Sequence, residues 1–350
     1  MTTLSAAYLA SFYLPWRALA STEIPEWIVG YTERIANTLN SQEDLGIGTL
    51  GSSLILAVIE DEEGKVSQLC RKSLEANTGS VPKLSILASP GNLISDYEKL
   101  VAAMLDRPPA KRPKLILLTY SYRDFFDNLA QSDENASPVA KMLTYTRERG
   151  HFLPDWRKLV SGAALDETAT CLLHHKRHLH SVAALFRTTL AQQAEQLRKN
   201  YLVQAPKQNT PSQTAIPKLD LQTDMKVYKT RYQPLNEIRW HSQLQALERL
   251  LQNCRQRNIP VAMVNMPVTD ANLSLIPSEM KGKWQAPIRA LAEKHGAALK
   301  DFDEAEVAGV SDTDFADSVH LKQGGARKFA DRLFRWLGST KQYQKAFEQR

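Results

Sequence analysis

The feature that most restricts this chain of 350 residues is a repeated alternation of short apolar runs with helix-period segments. It reads "GIGTL" at 46–50, a helical stretch near 54–76, "KLSIL" at 83–87, "ISDYEKLVAAML" at 94–105 and "KLILLTY" at 114–120. Apolar runs too short for helices, each followed by a polar turn and a segment of 3.6-residue period, are the pattern of βαβ units. The pattern resumes later. "HSQLQALERLLQNCRQRN" (241–258) is an amphipathic helix with Leu244, Leu247, Leu250, Leu251 and Cys254 along one face. The strand "IPVAMVNM" (259–266), a helix near "APIRALAEKHG", the short strand "ALKDFD" and a last helix "GGARKFADRLFRWL" follow.

Two such blocks form one open parallel α/β sheet, interrupted by an insertion. Residues 131–224 make up that insertion: helical segments, then the stretch "VQAPKQNTPSQTAIPKLDLQTD" (203–224), which has no periodic apolar face and reads as a loop. Residues 1–40 form an N-terminal helical segment, and 41–130 with 225–350 form the α/β domain. The apolar stretch at 4–16 is shorter than the roughly 20 residues a spanning helix requires. It lacks the basic n-region of a secretion signal. A net charge of +6 with a pI near 9.1 and no block of five or six like charges gives little ground for a nucleic-acid partner. Cys70, Cys171 and Cys254 are odd in number and far apart, which supports no disulfide framework and no metal pair.

In open α/β sheets, ligands bind outside the carboxyl ends of the strands. The segments expected at that rim are "GSS" (51–53), "SPGN" (89–92), "SYRDFFDN" (121–128), "NMPVTD" (265–270) and, one loop after the last strand, "DSVH" (317–320). A serine becomes a nucleophile when a base takes its proton and fixed donors receive the charge developing on the attacked oxygen. Ser53 is the candidate nucleophile, His320 the base, and Asp317 the group that orients the imidazole if the intervening turn is tight. The N–H groups of Ser53 and Gly91 are candidate oxyanion donors. Asn92, Asn128 and Asn265 are candidate substrate-binding residues on the same rim, although Asn265 serves equally well to end a strand.

These segments, in this order, resemble the SGNH (GDSL-type) hydrolase superfamily. With Ser52 at the position usually held by Asp, Gly51-Ser52-Ser53 is similar to the branch containing the D-alanine transfer protein of lipoteichoic acid modification and the alginate O-acetylation proteins. "YKTRYQPLN", "VNMPVTDANLSLIP" and "DFADSVHLKQGG" resemble an uncharacterised bacterial family grouped with that branch. The resemblance covers roughly 45–128 and 225–340. It implies a three-layer α/β/α fold with a flavodoxin-like parallel sheet, a triad of Ser53, His320 and Asp317, no cofactor and no metal. The implied activity is that of a serine esterase or O-acyltransferase on a small-molecule or carbohydrate ester, with a membrane-associated partner and a cell-envelope location as further expectations. The family completes its oxyanion hole with an Asn from a "GxND" block after the third strand. "LLTYSYRDFFDN" lacks that pattern, leaving Arg123, Ser121 or Asn128 as substitutes. Arg123 is favoured because a guanidinium binds oxyanions; a plain ion pair with Asp124 or Asp127 is the competing reading.

Other readings compete with the hydrolase. Gly-Ser-Ser after a strand often only caps a helix, and the same fold serves a non-catalytic glycan- or lipid-binding envelope protein. In "HHKRHLH" (174–180), His174 and His178 share a helix face as metal ligands would. Lys176 and Arg177 beside them oppose a cation, so a solvated basic face is preferred. Trp156, Trp240, Trp284 and Trp336 read as packing residues.

Overall fold

A computed structural model describes residues 26–60, 66–79, 81–130, 137–143 and 221–347. The chain divides into two compact units, Met1–Ala36 with Lys141–Gln213, and Asn37–Ala140 with Thr214–Arg350. Of the first, only 26–36 and 141–143 are described, and the helix α1 (Glu26–Asn40) begins there. Its buried residues Ile28, Thr32, Ile35 and Ala36 recur at helical spacing. The histidine-rich segment 174–180, Trp156, Cys171 and the apolar stretch 4–16 lie outside the described residues.

The second unit holds a five-stranded, wholly parallel sheet: β1 (Ile47–Gly51), β2 (Leu84–Ala88), β3 (Leu115–Tyr120), β4 (Val261–Asn265) and β5 (Ala298–Asp301). The spatial order is β2-β1-β3-β4-β5, the flavodoxin-like arrangement. The three inner strands are buried throughout, as a sheet covered on both faces requires, while the edge strands β2 and β5 are partly exposed. Gly51 pairs with Ala88, Tyr120 with Asn265 and Asn265 with Asp301, so the carboxyl ends of the strands form one rim.

The helices are α2 (Ser53–Ile59), α3 (Gln68–Thr78), α4 (Ile94–Leu105), α5 (Arg123–Phe126), α6 (Leu221–Tyr232), α7 (Glu237–Gln256), α8 (Asp270–Leu273), α9 (Ser278–His295), α10 (Ala305–Ala308), α11 (Gln323–Ser339) and α12 (Lys341–Phe347). They gather in two groups. The helices α2, α3 and α12 pack on α11, and α4, α5 and α9 pack on α7. Right-handed crossovers put the two groups on opposite faces of the sheet. An aromatic cluster joins α5 to α6, α7 and α9: Phe126 lies 4.3 Å from Trp284, Phe125 5.0 Å from Trp240, and Phe126 5.7 Å from Tyr232. No helix among the described residues is long and apolar enough to cross a membrane.

Three sequence expectations need correction. The helical stretch at 54–76 is two helices, because "EDEEGK" at 60–65 breaks the apolar period and Ser67 starts α3 by accepting from the Cys70 N–H at 3.1 Å. The loop expected through 224 ends earlier, since 221–224 is the first turn of α6; that helix has too few apolar residues to display a period. The helix α12 follows α11 without having been expected.

Candidate active site

The site begins with a close approach of backbones. A Cβ on Gly51 would stand 2.2 Å from Thr119 Oγ1 and 2.5 Å from a methyl of Ile55, so only glycine fits where β1 passes β3 and α2. Thr119 Oγ1 donates to the Leu50 carbonyl at 2.9 Å, holding the end of β1 against its neighbour. Ser52 then takes an extended conformation and Ser53 opens α2, whose first turn receives no side-chain cap.

The second part of the site comes from a loop 267 positions away. An isolated bridge between Phe315 and Leu321 closes that loop, and the Ala316 N–H donates to the His320 carbonyl at 2.7 Å. Within it, Asp317 Oδ1 accepts from the N–H groups of Val319 and His320 at 2.9 and 2.7 Å, an Asx-type turn. Asp317 Oδ2 is then 2.7 Å from His320 Nδ1, and His320 Nε2 is 2.8 Å from Ser53 Oγ. An acceptor on Nδ1 selects the tautomer that carries its proton there, which leaves the Nε2 lone pair for the serine hydroxyl. Burial pushes the Asp317 carboxyl up, but the hydrogen bonds and charge of His320 and the two backbone donors outweigh it, so it lies below the usual carboxylate value. His320 and Asp317 are partly accessible, with side chains 17% and 19% exposed, so the series opens toward solvent.

The loop is braced by residues that sequence reasoning missed. Asp224 Oδ2 accepts from the Ser318 N–H at 2.9 Å, Thr269 Oγ1 donates to the Ser318 carbonyl at 3.0 Å, and Asn272 Nδ2 donates to Ser318 Oγ at 3.0 Å. Thr269 also starts α8 by accepting from the Asn272 N–H, a cap legible in "TDAN". Asp224 fell in the stretch read as a loop.

The remaining candidates separate. Gly91 stands at φ +84° in a turn closed by the Asn92 N–H on the Ser89 carbonyl, with Pro90 before it, which suits a type II turn. It is exposed, and open space surrounds its Cα. Asn92 is buried and donates to the Gly51 carbonyl at 3.3 Å, tying the β2 turn to the end of β1. Arg123 is committed elsewhere. Its Nη2 donates to Asp124 at 2.7 Å and to the Asn92 carbonyl at 2.5 Å, and its Nη1 lies 3.3 Å from Asp127, which Arg231 also binds. The ion-pair reading of Arg123 therefore describes its position, with four of its five N–H donors already taken by Asp124, Asp127 and the Asn92 carbonyl. Asn128 donates to the carbonyls of Thr230 and Pro234 at 3.3 and 2.7 Å and so closes the end of α6. Asn265 donates to Asp301 Oδ1 at 2.9 Å, two strands or roughly 10 Å from β1.

No family model matches the sequence, and none of the curated proteins compared with it matches either. The site is therefore read from its geometry. Among the described residues no cluster of three or more His, Cys, Asp or Glu side chains could hold a metal ion. A cavity of about 450 Å³ lies between α7 and α9, lined by Glu248, Gln252, Arg255, Gln256, Lys294 and His295. Those residues sit where the two helices lead into β4 and β5, at the amino ends of the strands and away from Ser53. Cys70 and Cys254 are buried and unbonded, their thiols pushed up to about 12 by burial.

Proposed function

We propose that this protein is a serine esterase or O-acyltransferase of the SGNH type. Ser53 Oγ attacks the carbonyl carbon of an ester while His320 Nε2 takes its proton, and Asp317 balances the imidazolium that results. The developing oxyanion faces the N–H groups of Ser53 and Gly91. Collapse of the tetrahedral intermediate breaks the bond to the alcohol, which leaves with the proton from His320, and an acyl-Ser53 remains. Water or a carbohydrate hydroxyl then gives a proton to His320 and attacks the acyl carbon, restoring Ser53. The envelope carbohydrate or lipid ester suggested as substrate rests on the sequence resemblance rather than on the geometry.

The observation that carries this reading is the unbroken series of hydrogen bonds from Asp317 through His320 to Ser53, at 2.7 and 2.8 Å. Its test is labelling by a fluorophosphonate probe together with turnover of p-nitrophenyl acetate. Wild-type protein is expected to label and to turn over, and Ser53→Ala to lose both, with kcat/KM down at least about 10⁴-fold and an unchanged thermal midpoint. Well-folded wild-type protein that neither labels nor turns over overturns the enzyme reading in favour of a glycan- or lipid-binding protein.

A further inference from the structure

The helix α6 crosses the rim and is tied down at both ends of one face. In its first turn Asp224 holds the N–H of Ser318, the residue after the triad carboxylate. In its last turn Arg231 pairs with Asp127, its carbonyl accepts from the Asn128 N–H at 3.0 Å, and the Tyr232 hydroxyl donates to Asn272 Oδ1 at 2.9 Å. Tyr228 lies four residues after Asp224 and four before Tyr232, so it shares their face and stands about 6 Å along the axis from each. That puts it between the loop carrying Asp317 and His320 and the segment that follows β3.

Its surroundings agree with that placement. The charged groups that act on it are Arg123, Arg231, Asp224 and Asp317, drawn from the β3 turn, its own helix and the triad. Its ring packs 5.7 Å from that of Tyr232, with the Arg231 guanidinium 5.8 Å away on the ring face. The hydroxyls of Tyr97, Tyr122 and Tyr232 all donate to side-chain oxygens of Asp or Asn. The half-buried Tyr228 has no hydrogen bond for its hydroxyl among the described residues. Arg123, meanwhile, spends four of its five N–H groups on Asp124, Asp127 and the Asn92 carbonyl.

We propose that Tyr228 is the third oxyanion donor, its free phenol hydroxyl reaching over the rim to the substrate oxygen in the place left by the missing asparagine after β3. The assignment rests on the acyl-transfer reading of Ser53. Burial raises the phenol above its ordinary value, so it remains a proton donor wherever His320 can act as base. During attack the hydroxyl gives a hydrogen bond to the oxyanion and keeps its proton, and no bond to Tyr228 forms or breaks.

The test is Tyr228→Phe, which keeps the ring and its packing. Turnover of p-nitrophenyl acetate is expected to show kcat down about 10²-fold with KM little changed. Affinity for an alkyl boronic acid, whose tetrahedral Ser53 adduct mimics the intermediate, falls by a similar factor, and the thermal midpoint holds. A kcat within threefold of wild type, or a loss of kcat with unaltered boronic acid affinity, overturns the assignment. Ser53→Ala serves as the control. Wild-type turnover that survives Ser53→Ala, or no wild-type turnover at all, brings down the esterase reading and this inference with it; Ser53-dependent turnover that ignores Tyr228→Phe brings down this inference alone.

Discussion

Two networks of charged and polar side chains share the rim of the sheet, one around Ser53 and the other around Arg123, and they differ in how they end. The first runs from Asp317 through His320 to a hydroxyl with an open side, and its imidazole and carboxylate remain partly accessible. The second closes on itself. Asp124 is fully buried and accepts from Arg123, from the Ser121 N–H at 3.0 Å and from the Tyr97 hydroxyl at 3.2 Å, while Asp127 is shared by Arg123 and Arg231. A network with an unfilled end can move a proton, whereas one whose donors and acceptors are matched can only hold elements together. The closed network also does work for the open one: Arg123 grips the Asn92 carbonyl, and Asn92 grips the carbonyl of Gly51, two residues before Ser53.

The largest effects should separate along that line. His320→Ala is expected to lower kcat/KM at least about 10⁴-fold while leaving unfolding free energy close to wild type, since among the described residues the His320 side chain is bonded only to Asp317 and Ser53. Asp124→Ala should do the converse. Desolvation already raises the Asp124 carboxyl despite the guanidinium beside it. Removing that carboxylate leaves a buried cation short of a partner, at about 3–5 kcal/mol of stability, with Ser53-dependent turnover retained in the fraction that stays folded. Urea unfolding and steady-state kinetics on both variants check the separation. If Asp124→Ala kept full stability and lost turnover, the division of roles would be reversed.

A smaller effect probes the joint between the networks. Gly51→Ala sets a methyl against Thr119 Oγ1 and Ile55, which face it from β3 and α2. Overpacking of this kind costs about 1–3 kcal/mol, and displacing the turn that carries Ser53 should lower turnover on the order of 10²-fold. Equal stability and turnover in wild type and variant would show that β1 relaxes without moving the serine.

How much of this was legible in the sequence follows from the range of the interactions. The five strands and α4 could be read from local apolar period, because a parallel strand covered on both faces has to be apolar almost throughout. Ser53, Asp317 and His320 could be nominated because strand ends in such sheets converge on one rim. The residue types favour Arg123 as an oxyanion donor, although Asp124 and Asp127 beside it in sequence fit an ion pair, and only the fold shows both carboxylates turned toward it. Asp224 left no signal, and Tyr228 only its place at the head of "YKTRYQPLN", which assigns it no role. The helix α6 is polar in sequence, and what it binds lies 104 residues before it, at Asp127, and 94 residues after it, at Ser318.

The smallest effect comes from a third group of carboxylates on the same rim, which lacks the guanidinium that Asp124 has. Asp301 accepts from Asn265 Nδ2 at 2.9 Å and from Gln285 Nε2 at 2.7 Å, and neither donor carries charge. Its neighbour Asp303 accepts from the Tyr122 hydroxyl at 2.8 Å and pairs with Lys281 at 3.0 Å. Burial first, then the adjacent Asp303, pushes Asp301 up to about 6 from an ordinary value of 3.8. Between those two values the folded chain keeps a proton that the unfolded chain has released, so this residue's contribution to stability is full below pH 4, falls as pH rises to 6 and is level above. Asp317 has the opposite sign: its contribution is present above the ordinary carboxylate value and is lost as pH falls through its lowered one. Asp301→Asn removes only the first dependence. The difference in unfolding free energy, variant minus wild type, should therefore rise between pH 4 and 6 and stay flat above. Because Asp303 shares the titration, the rise should be on the order of 1 kcal/mol. A difference that holds constant from pH 4 to 7 would mean that Asp301 is ionised in the folded protein at pH 4, and that the two amides offset the burial of its carboxylate.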